Sequence, residues 1–198
     1  RAARAAAREP AASTAVDDWR SFGWLTGVVI LRSVLYFGIS SLPALFVIDR
    51  FDVDQVIGSA ALVTFLAVGA VGTLIGGWLA DRYGRLPAIR LGYPLALPAL
   101  VLLLVAPGWP LAIAAAALLA LGVHLPFSVQ TTLGQEYLPN RIGTASVVTI
   151  GLAVSAGGAV APLLGLLADP YGLPWALGSL LALPPLALVL TFRLKTIA

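Results

Sequence analysis

Two short polar series interrupt an otherwise apolar sequence. In "LRSVLYFGIS", Arg32, Tyr36 and Ser40 recur every four residues, so a helix would carry a guanidinium, a phenol and a hydroxyl on one face. In "HLPFS", His124 and Ser128 stand in the same relation. A fixed positive charge on Arg32 points to an anionic or partly anionic ligand. His124 is the one side chain here whose ordinary titration lies near neutral pH, which suits it to carry a proton. The structural alternative pairs Arg32 with a backbone carbonyl or an acid outside this sequence, and His124 with a nearby Ser or Thr.

A third polar stretch, "GGWLADRYGR", closes an apolar run of some twenty-five residues. A helix ending there sets Asp81 at the negative end of its dipole, where a carboxylate needs compensation. Gly84 suits the terminating residue, with Pro87 beyond it. Gly77, one turn before Asp81, lets another helix approach. The open alternatives for Asp81 are an Arg of its own loop, the N-terminus of a neighbouring helix, or plain solvation.

The elements that position these residues are membrane helices. The 198 residues are 60% hydrophobic and 11% charged, with a mean hydropathy of +0.97. A soluble domain carries about 25% charged residues, and runs of ~20 apolar residues mark bilayer spans. Six are expected: Phe22–Ile48, Val56–Ala80, Ala88–Ala106, Trp109–Gly134, Ile142–Ala168 and Leu173–Phe192. Trp19, Trp24, Trp78, Trp109 and Trp175 lie near their ends, as interface anchors do. Residues 1–21 read as a cytoplasmic linker and 22–198 as the six-helix domain. The opening "RAARAAAREP" lacks the apolar core of a signal peptide, and a piece of a longer protein is expected.

Ten of the twelve Lys and Arg residues fall on one side of this topology, with Arg50 opposite and Arg32 inside a span. Basic residues collect on the cytoplasmic side, so both termini are expected there. Spans one, two, four and five carry Ser, Thr, Gln, His or Arg, whereas spans three and six are nearly bare of polar groups. Bare helices can face lipid, so the other four are expected to line a path. Arg32 and His124 each lie about ten residues from the cytoplasmic end, roughly 15 Å deep. No Asp or Glu falls within a span, which leaves His124 or another part of the protein to carry a coupling proton.

"GLLADPYGL" (165–173) repeats "GWLADRYGR" (77–85) at an offset of 88 residues. One copy joins spans two and three, the other spans five and six, so the copies face opposite sides. Two inverted three-helix repeats are the construction of many secondary transporters. Here the sequence resembles a family: "GGWLADRYGR" is similar to the loop signature of the major facilitator superfamily, and "QEYLPNRIGTAS" to its loop before the fifth helix of a half. Leu86 departs from the family, which often has a second base there. The resemblance implies an all-α membrane protein, a six-transmembrane-helix bundle forming half of a major facilitator fold, here helices seven to twelve. It further resembles bacterial efflux proteins of the fosmidomycin-resistance type. It implies a conformational latch of Gly77, Asp81, Arg82, Gly84 and Arg85 with Glu136 and Arg141. Implied partners are the lipid bilayer, an N-terminal six-helix half, a small-molecule substrate and protons, in a bacterial cytoplasmic membrane. The fifth span, "GLAVSAGGAVAPLLG", is a loose counterpart of the family's antiporter signature, and close packing explains it equally.

Other functions fit less well. A Ser155–His124 pair has neither a nucleophile turn nor oxyanion donors, so an enzyme is not expected. A passive channel would need a selectivity loop or a ring of charges. The basic residues near the N-terminus are sparse and Ala-spaced, which argues against nucleic acid. With no Cys there is neither a disulfide nor a Cys-ligated metal site, and no cofactor is expected.

Overall fold

A computed structural model describes residues 16–196, and these are helical or lie in short links between helices. Six stretches are long and apolar enough to cross a membrane: Trp19–Ser41, Gln55–Tyr83, Arg85–Val105, Trp109–Tyr137, Pro139–Tyr171 and Leu173–Thr191. They are called spans one to six. Of the expected linker, residues 1–15 lie outside the described residues, and the first helix begins at Trp19, just inside the remainder.

Local chemistry sets the helix ends. Asp18 caps span one by accepting from the Ser21 amide at 3.0 Å, and Asp54 caps span two by accepting from the Ile57 amide at 2.9 Å. The first span stops earlier than its hydropathy suggests. Pro43 has no N–H to continue the ladder, so the helix ends at Ser41 and a separate helix, Pro43–Phe51, begins. Asp52 then turns the chain with a left-handed φ of 49°, a conformation Asp tolerates better than most residues.

Spans two, three and four form a tightly packed block because glycine removes the side chains between them. A Cβ on Gly92 of span three would lie 2.5 Å from the Gly122 carbonyl oxygen of span four. One on Gly76 of span two would run into the Leu125 carbonyl of span four. Pro94, Pro98 and Pro126 sit within these helices without ending them, and Pro126 packs onto Gly92. Span five is less regular: a π-helical segment, Val147–Leu152, interrupts it, and a second break falls at Ala159.

Arg90, Arg141 and Lys195 gather at one end of the bundle. Asp17 accepts from the Asn140 amide at 3.1 Å and pairs with Arg141 at 3.6 Å. The Tyr137 hydroxyl donates to the Lys195 carbonyl at 2.6 Å, and Arg90 donates to the Thr191 carbonyl at 3.1 Å. The chain entering span one, the link between spans four and five, and the segment leaving span six are thereby tied together.

The two repeated loops end their helices in the same way. Gly84 (φ 92°) and Gly172 (φ 87°) both have positive φ, and each amide donates back to an alanine carbonyl, Ala80 or Ala168, one turn earlier.

Candidate functional site

Arg32 lies in the middle of span one, thirteen residues after its first residue, and is only 5% exposed. Its Nε donates to Gln130 Oε1 of span four at 3.0 Å, and Nη2 donates to Ser33 Oγ at 3.2 Å. The guanidinium carbon lies 4.8 Å from the Phe127 ring centre, within cation–π range. Because Arg only donates, Gln130 must turn its oxygen to Arg32 and its NH2 to span three, where Nε2 donates to Tyr93 Oη at 2.7 Å. Arg32 forms no ion pair among the described residues.

Beside this chain lies a cavity of about 320 Å³. Span one contributes Arg32, Ser33, Tyr36 and Phe37, span two Thr73, span four His124 and Phe127, and span five Ile150, Ala153 and Val154. Spans three and six contribute nothing to its lining. The polar helices of the sequence therefore line the space, although Tyr93 of span three is buried behind them.

The His124 ring is seated against Gly69, where a Cβ would overlap it, and meets Tyr36 edge-on at 5.3 Å and Phe65 at 5.4 Å. Nδ1 lies 2.9 Å from the Ala120 carbonyl oxygen, which can only accept. That bond fixes the proton of a neutral ring on Nδ1 and leaves the Nε2 lone pair free of it.

Of the five residues expected around a cavity, Arg32, Tyr36 and His124 line this one. Ser40 donates to the Phe37 carbonyl at 3.2 Å and is not part of the lining. Ser128 donates to the Thr73 carbonyl at 3.3 Å and borders a smaller space of about 90 Å³ beside Gly77, Asp81 and Arg85. Ser155 is exposed and is not part of the cavity lining.

The loop between spans two and three is held across to span four by an ion pair between Arg85 and Glu136. Arg82 stacks on Trp78 and Tyr83 at 5.9 and 5.8 Å, and Arg141 is engaged by Asp17. Asp81 is exposed and forms no ion pair among the described residues, so no Arg of its own loop is paired with it there. Gln130 and Tyr93 were not singled out for the site. Their signal was available in principle, since a Gln inside a span must find partners, but spacing alone does not say on which helix.

Comparison with known proteins decides the family. Residues 25–197 match the model of the Major Facilitator Superfamily. The chain belongs to that superfamily. A Bacillus subtilis (strain 168) relative, the uncharacterized MFS-type transporter YfnC, is 34% identical over 151 residues, which are 76% of this chain and 36% of that protein. The fosmidomycin resistance protein of Escherichia coli (strain K12) is 30% identical over 143 residues, 72% of this chain and 35% of that protein. The chain thus spans about a third of the length of these relatives. Among solved structures, the peptide transporter POT in complex with sulfate superposes with a TM-score of 0.78 at 20% identity, covering 87% of this chain and 37% of that one. The E. coli fucose:proton symporter FucP gives 0.76 at 16% identity, covering 89% and 43%. These likenesses establish the fold: six helices forming half of a facilitator fold, in a multi-pass membrane protein of a transporter family.

Proposed function

We propose that these six helices are the C-terminal half of a secondary transporter that exports a small molecule by alternating access, in exchange for protons. The observation that carries the reading is the cavity that Arg32, Tyr36 and His124 line halfway along the bundle. Transporter sites lie near the midplane, where ionisable residues are otherwise too costly to keep. His124, with Nε2 free, is the proton carrier within this chain, since no carboxylate lies in the interior of any span. The companion half faces spans two and five, whose exposed apolar residues include Val63, Leu74, Val154 and Leu163.

The end bearing the basic loops faces the cytoplasm of a bacterial cell, with both termini there. On that face Gly77, Asp81, Arg82, Gly84 and Arg85, with Glu136 and Arg141, form the latch that closes the two halves. Asp81, which forms no ion pair among the described residues, takes its partner from the companion half.

The test uses the complete transporter in inverted vesicles. Fosmidomycin is the first compound to try, given the name of one relative, followed by a drug panel chosen from a resistance screen. An acidic vesicle interior should drive saturable accumulation. Arg32→Gln should abolish it, whereas His124→Gln should keep passive counterflow and lose the pH-gradient drive. Linear, unsaturable flux would identify a channel and overturn the proposal.

A further inference from the structure

We propose that the cavity is a site for a small organic anion, and that Arg32 is held ready for it by a neutral relay, Gln130 and Tyr93. This rests on the carrier reading and names its substrate class. A buried guanidinium is ordinarily matched by a carboxylate. Among the described residues its side-chain hydrogen-bond partners are an amide and a hydroxyl, Gln130 at 3.0 Å and Ser33 at 3.2 Å. Both fix its direction and neither cancels its charge. Glu in place of Gln130 would have the same shape and would neutralise the site, so an amide at this position keeps the positive charge available.

The rest of the cavity defines the remainder of the ligand. His124 and Thr73 can hydrogen-bond it, while Phe37, Phe127, Ile150 and Val154 offer apolar walls. About 320 Å³ suits a compact molecule with one oxyanion group on an apolar or aromatic body. Thirteen helical residues from Trp19 place Arg32 about 20 Å along the span, beyond headgroup level, so a soluble anion rather than a lipid phosphate is meant.

The experiment reads the charge of the cavity without knowing the substrate. These 198 residues contain no Cys, so Thr73→Cys gives this half a single thiol at the cavity wall. It is placed in the complete transporter, otherwise cysteine-free, in nanodiscs of zwitterionic lipid. The rates of labelling by the anionic sulfonatoethyl and the cationic trimethylammonioethyl methanethiosulfonates are compared. Their ratio is normalised to that of free cysteine.

An anion site should favour the sulfonate ~10-fold or more over free cysteine. Arg32→Gln and Gln130→Glu should each bring the ratio to within about twofold of free cysteine. A ratio at or below that of free cysteine overturns the proposal, because it means that an acid from the companion half neutralises Arg32. So does a ratio that neither substitution changes, or a thiol that neither reagent reaches. Counterflow that persists without anion preference would sink this inference and leave the carrier reading standing. Anion preference without transport would do the opposite.

Discussion

Gly84 and Gly172, 88 residues apart, have the same backbone conformation: φ 92° and 87°, with ψ 161° in both. That region is essentially closed to residues with a Cβ. The inverted repeat therefore shares a helix-ending device, even though Arg82 and Arg85 of one copy are Pro170 and Leu173 in the other. Alanine at either glycine should cost a similar amount, about 1–3 kcal/mol, seen as a lowered unfolding midpoint in detergent. A cost at Gly84 alone would mean that only one loop is under constraint.

The contact between spans two and four makes a second expectation. Gly76→Ala pushes a methyl into the Leu125 carbonyl, and backbone cannot rotate away as a side chain can. A loss of about 1–3 kcal/mol is expected from overpacking. Gly178→Ala is the control: nothing lies within 4 Å of its Cβ position, so thermal unfolding should be unchanged or slightly improved.

Asp18 gives a pH dependence outside the membrane. Ser21 donates to it from its hydroxyl at 2.6 Å and its amide at 3.0 Å. These bonds hold the carboxyl below the ordinary aspartate value of 3.8. A lowered folded-state value means that the ionised form favours the fold: the contribution is present at neutral pH and is lost as pH falls below 3.8. Asp18→Ala should cost about 1 kcal/mol at pH 7, and the difference from wild type should shrink in acid. Asp18→Asn should keep most of the cap and lose the pH dependence.

Asp81 separates stability from transport. Exposed and unpaired among the described residues, it should tolerate Asn within about 0.5 kcal/mol in thermal unfolding. If it closes the two halves, the same substitution should slow transport in vesicles at least several-fold. An Asp81→Asn transporter with wild-type rates would remove Asp81 from the latch.

What could be read in the sequence divides along physical lines. Span ends were legible to within a few residues where caps, Trp and loop charges mark them, as at Trp109, Gly84 and Gly172. The break at Leu42 was not, because Pro within a membrane span is often accommodated, as Pro94, Pro98 and Pro126 are here. The polar helices were legible because a polar side chain in lipid must face protein or water. Which polar groups meet was not: the Arg32–Gln130–Tyr93 chain joins three helices, and Arg141 pairs with Asp17 from more than a hundred residues away. Such pairings depend on the rotation of each helix about its axis, which four-residue spacing leaves undetermined.

The cavity is bounded by unequal walls. On one side, backbones locked together at Gly76, Gly92 and Gly122 leave no slack for sliding. On the other stands span five, its hydrogen-bond ladder widened at Val147–Leu152 and interrupted again near Ala159. If the complete transporter alternates its access as proposed, deformation should concentrate where the ladder is already loosened, and the volume of the chamber should then follow how far this one helix flexes against a stiffer frame.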